Sequence, residues 1–124
     1  MVIAFTVPGV PIPWKRARRA PRHSYTDPLA AIFMDRVRAA ARNAGVRGPA
    51  KAVPFRLTAR FYRMDLDTWH PHFGDLSNLI KIVEDALNGI IWTDDRWIVQ
   101  YGPGGKFTGT SRTEITIEEL GDTE

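Results

Sequence analysis

The polar and apolar positions open with an alternation. Residues 2–7, Val2-Ile3-Ala4-Phe5-Thr6-Val7, are mostly β-branched or aromatic and stop at Pro8-Gly9, which predicts a strand closed by a turn. Residues 8–28 include Pro8, Pro11, Pro13, Pro21 and Pro28. Fixed φ angles and missing N–H donors exclude a long helix or a central strand there, so an extended loop is expected. From 29 to 43, Leu29, Ile32, Phe33, Val37 and Ala40 recur at helical spacing, with Asp27 as cap, Pro28 after it and Gly45 as the stop.

Residues 53–63 set Phe55, Leu57, Ala59 and Phe61 against Arg56, Thr58, Arg60 and Arg63, the period of a strand buried on one face. The stretch 64–74 has no consistent period and reads as a loop. Between 76 and 88, Leu79, Ile82, Val83, Ala86 and Leu87 trace one helical face, with Asp75 or Ser77 available as cap and Asn88-Gly89 as stop. Ile90-Ile91-Trp92 leads into an Asp94-Asp95 turn. Residues 97–101 then form a third strand, 102–109 a connection, and 113–119 a fourth strand. The order β-α-β-α-β-β predicts an α+β fold over residues 1–124: a two-layer sandwich with two helices on a mixed four-stranded sheet.

A chain of 124 residues with 44% apolar and 25% charged positions suits one packed domain, not two or a disordered tail. No apolar run approaches the roughly 20 residues that span a bilayer, and the start lacks a charged region before its apolar stretch. A cytoplasmic protein without a membrane partner is therefore expected. Cysteine is absent, which excludes disulfides, thiolate zinc sites and cysteine catalysis. The net charge of +3 is unevenly spread: Lys15, Arg16, Arg18, Arg19, Arg22 and His23 lie between Trp14 and Tyr25 with no carboxylate among them. Guanidinium groups interleaved with aromatics suit phosphate tracking and base stacking. Trp14, Lys15, Arg16, Arg18, Arg19 and Arg22 are thus candidate DNA-binding residues; for Trp14, packing on the core is an equal alternative.

The candidate chemistry lies around the second predicted helix. Asp75 stands at its N-terminus, Asn78, Lys81 and Asp85 share a stripe, and Asp95 sits in the turn that follows Gly89. A hard cation such as magnesium binds through one or two carboxylates and keeps several waters. A nearby lysine can stabilise charge that accumulates on phosphate oxygens. Each residue also has a plainer reading: Asp75 as a helix cap, Lys81 and Asp85 as a surface ion pair, Asp94-Asp95 as turn formers. His70 and His72 flank Pro71, but without a third ligand of settled geometry loop packing is favoured over a zinc site.

In order and context these residues resemble the RusA-like Holliday junction resolvases, small endodeoxyribonucleases of bacteria and phages. The family pattern Asp-x-Asp-Asn-Leu-x-Lys, Asp-Ala-Leu-Asn-Gly, Asp-Asp, Val appears as Asp75-Leu76-Ser77-Asn78-Leu79-Ile80-Lys81, Asp85-Ala86-Leu87-Asn88-Gly89, Asp94-Asp95 and Ile98-Val99. The resemblance implies a homodimer that nicks branched DNA, four-way junctions, in a Mg2+-dependent manner, with Mn2+ as a substitute. It further implies Asp75, Lys81 and Asp95 as catalytic residues, Asp75, Asp95 and Asp94 as metal ligands, Asn78 as a DNA contact, and Ser77 and Asp85 in support. Ser77 departs from the pattern, which has an aspartate there, and a hydroxyl is a poor metal ligand. Three alternatives follow: replacement by Asp67, Asp94 or Asp85, weaker binding through two carboxylates, or junction binding without cutting. A protein-interaction module with a basic face is the remaining reading from another class.

Overall fold

Phe55, Leu57, Ala59 and Phe61 all turn inward, and the strand that carries them is one of the two interior strands of the sheet. The computed structural model describes residues 1–14, 27–64 and 75–121. Its elements are β1 (Val2–Pro8), α1 (Pro28–Asn43), β2 (Phe55–Arg63), α2 (Leu76–Leu87), a 3-10 turn (Asp95–Trp97), β3 (Ile98–Tyr101), β4 (Gly105–Thr108) and β5 (Arg112–Glu119). β5 runs antiparallel to both β1 and β2. β3 and β4 both run parallel to β2, beside residues 55–57 and 60–63 respectively. The sheet is thus mixed and five-stranded, ordered β1-β5-β2-β3 with β4 also on β2. Two helices with a mixed sheet make the α+β fold expected from the pattern.

The sheet has five strands rather than four because 102–109, expected as a connection, contains β4. Nothing in Gly105-Lys106-Phe107-Thr108 alternates strongly enough to announce a strand; its partner β2 makes it one. Gly104 permits the step from β3 to β4, since a Cβ there would lie 2.2 Å from the Ala59 carbonyl oxygen. A second correction concerns Trp97, expected at the head of the third strand but found in the 3-10 turn.

α1 is capped as expected, Asp27 accepting the Leu29 N–H at 3.0 Å. Its buried face is Ala30, Phe33, Met34, Val37 and Ala41, whereas Leu29 and Ile32 remain 58% and 49% exposed. Both stripes pass through Phe33 and Val37, and the approach of β1 and α2 decides which flank packs. α2 buries Leu79, Ile82, Val83, Ala86 and Leu87 as its period requires, and also Glu84. The two helices meet where the Arg38 guanidinium donates to the Ala86 carbonyl at 3.0 Å. Among the described residues no helix is long and apolar enough to cross a membrane.

Candidate active site

The link between α2 and the acidic turn is set by a tryptophan. Trp92 is fully buried, packs at 5.6 Å between ring centroids against Phe55, and donates its indole N–H to Asn88 Oδ1 at 2.8 Å. Gly89, at φ +80°, turns the chain out of the helix, and its N–H closes onto the Trp92 carbonyl at 2.7 Å. This tight return leaves the next residues beside α2. Asp94 caps the 3-10 turn, accepting from the Arg96 N–H at 3.1 Å, and Asp95 is that turn's first residue.

Asp95 thereby meets Lys81. The ammonium lies 2.9 Å from Asp95 Oδ2 and 3.2 Å from Asp85 Oδ1. The Asp95 hydrogen bond holds the Lys81 pKa above the ordinary lysine value; burial opposes it, and Asp85 adds to the rise. Lys81 is therefore a fixed cation at neutral pH. The second oxygen of Asp85 accepts the Trp14 indole N–H at 2.8 Å, and the Trp14 backbone N–H donates to the Asn78 carbonyl at 3.3 Å. Trp14 is half-buried against the core, so its indole is anchored in the protein while its edge serves the site.

The Lys81–Asp85 pair exists, but it is one arm of a larger constellation that includes Asp95. Asp94 is a turn former, as its residue type suggests. Asp75 occupies the N-cap position of α2 yet makes no side-chain cap bond; its side chain is exposed and, among the described residues, has no hydrogen-bond or ion-pair partner. Ser77 is exposed and Asn78 half-buried on the first turn of α2. Among the described residues no three acidic or histidine side chains are gathered so as to hold a metal ion. Lys15, Arg16, Arg18, Arg19, Arg22, Asp67, His70 and His72 lie outside the described residues.

Two residues that the periodicity did not single out border this site. Glu84 is 7% exposed and accepts a short hydrogen bond from the Tyr101 hydroxyl, so α2 is tied to β3 immediately after the Asp95 turn. Burial pushes the Glu84 carboxyl above its ordinary value, opposed by the Tyr101 hydrogen bond, while the nearby Asp95 charge raises it further. The Tyr101 phenol is pushed up to about 12, mainly by burial and then by Glu84. Glu84 lies past the edge of the apolar stripe of α2, so the helical period gave no signal for its burial.

The α+β fold thus brings a lysine between two acidic side chains beside a tight turn. The model of the endodeoxyribonuclease RusA family matches residues 8–118, and the chain belongs to that family. Its general function is accordingly that of a Holliday junction endonuclease, a hydrolase of DNA phosphodiester bonds. No curated protein matches the chain.

Proposed function

We propose that this protein resolves four-way DNA junctions by paired, Mg2+-dependent nicking, with Asp75 and Asp95 as metal ligands, Asp94 in support and Lys81 as the catalytic cation. The observation that carries the reading is the 2.9 Å contact between Lys81 and Asp95, which joins two distant parts of the motif in one place.

The donor chemistry fits a hard divalent cation. The Asp75 carboxylate has no hydrogen-bond or ion-pair partner among the described residues, and Asp95 is bound to Lys81 through Oδ2, which leaves its Oδ1 open to a cation. Two carboxylates with waters and substrate oxygens complete the usual magnesium set, so Ser77 need not be a ligand. When bound, such an ion polarises the phosphoryl group and lowers the pKa of attacking water. The ammonium of Lys81 has three N–H donors, two of them directed at Asp95 and Asp85. The third remains to stabilise negative charge that grows on the phosphate oxygens. Asn78 and the basic residues Lys15, Arg16, Arg18, Arg19 and Arg22 hold the DNA backbone. A homodimer, working in the cytoplasm, would present identical sites to opposing strands of an approximately two-fold junction.

Incubating a synthetic four-way junction with the protein, with and without Mg2+, tests this reading. Paired nicks only with the ion are expected, and Asp95→Asn should abolish them while junction binding persists. Undiminished nicking by that variant would remove Asp95 from the site. Binding without nicks in the wild type would instead favour a silent junction-binding protein.

A further inference from the structure

Asp85 is fully engaged: one oxygen receives the Lys81 ammonium at 3.2 Å and the other the Trp14 indole N–H at 2.8 Å. It is a bridge between an ammonium and an indole. Lys81 is 51% exposed, and a lysine on a four-carbon stem presents its charge at one point only where acceptors fix it. Asp95 fixes it from the turn and Asp85 from the helix. Asp85 is itself oriented by Trp14, whose ring is half-buried against the core and whose backbone N–H is tied to the Asn78 carbonyl. Lys15 follows Trp14 directly and opens the basic run that extends to Arg22.

We infer that Trp14 is a positioning residue: through Asp85 it fixes the Lys81 ammonium for a phosphate oxygen. The inference rests on the nuclease reading above. It assigns Trp14 a role through its N–H edge, distinct from stacking on a base. Trp14→Phe removes the donor and keeps an aromatic ring against the core. Asp85→Asn keeps an oxygen for the indole but no longer offers a carboxylate to Lys81.

The test combines kcat and KM on a synthetic four-way junction with 1H–15N spectra of the lysine ammonium and indole groups in metal-free protein. Trp14→Phe should lower kcat about 10- to 100-fold with KM unchanged, as a misplaced catalytic group does, and should move the Lys81 ammonium resonance. Asp85→Asn should cause a similar loss while keeping the Trp14 indole resonance near its wild-type position. The double variant should lose no more than the worse single one, because both act through one chain of interactions. Adding junction DNA without metal should move the Trp14 and Lys81 signals together. An unchanged kcat in Trp14→Phe, with or without a raised KM, overturns the inference, as does an unmoved Lys81 resonance or additive losses. Should Trp14→Phe not fold, the Asp85→Asn spectra decide alone: a Lys81 resonance at its wild-type position is the overturning result. Should the wild type not nick, the nuclease reading fails, while the spectra still decide whether Trp14 and Lys81 are linked.

Discussion

Glu84 carries a charge that the fold makes costly. Its carboxyl is buried among α2 and β3, and its pKa lies above the ordinary glutamate value of 4.5. In the unfolded chain the same group titrates near that ordinary value, so the folded state binds the proton more tightly. Stability from this group is fully present below pH 4.5 and is lost as pH rises through the raised folded value. Glu84→Gln keeps an oxygen for Tyr101 and carries no charge. Its thermal midpoint should exceed that of the wild type at neutral pH, and the gap should shrink as pH falls towards 4.5. A gap constant with pH would show that burial does not shift this carboxyl. At Lys81 the neighbourhood favours the charged form instead: the Asp95 hydrogen bond, and then Asp85, raise its pKa against an opposing effect of burial.

At the scale of elements, the decisive piece is the short return between α2 and the 3-10 turn. Asn88 and Trp92 fasten it by one side-chain hydrogen bond inside the core, and Gly89 supplies the backbone conformation that the turn requires. Asn88→Ala would leave the Trp92 N–H without this acceptor in a buried position, at an expected cost of about 1–3 kcal/mol. Chemical denaturation should show that cost, and Mg2+-dependent nicking should fall because Asp95 is no longer held on Lys81. A variant of wild-type stability would mean that another acceptor takes the indole. The helices themselves were legible along the chain: Asp27, Pro28 and the Phe33–Val37 spacing mark α1, and the Leu79, Ile82, Val83, Ala86, Leu87 stripe marks α2. Less legible was the flank of α1 that packs, because Leu29 and Ile32 are as apolar as Ala30 and Met34. β4 was hidden for a related reason, since four residues of mixed character become a strand only beside β2.

For the whole molecule, the net charge of +3 is too small to bind DNA by itself, so the position of the positive groups matters more than their number. Trp14, which precedes the basic run in the sequence, donates to Asp85 beside Lys81. Replacing Arg16, Arg18 and Arg19 together by alanine should weaken junction affinity and flatten its dependence on salt by about 0.9 in log–log slope for each phosphate that is no longer neutralised. An unchanged slope in a salt titration would mean that these arginines do not meet phosphates. By itself the sequence determined the helices, the inward face of β2 and the motif residues, because period, caps and residue order are local properties of a chain. Only the tertiary structure decided that Asp95 rests on Lys81, that Asp85 is shared with Trp14, that Glu84 is buried against Tyr101, and that a fifth strand exists. Those facts depend on which surfaces meet when Trp92 and its neighbours leave water, and burial has no sequence separation.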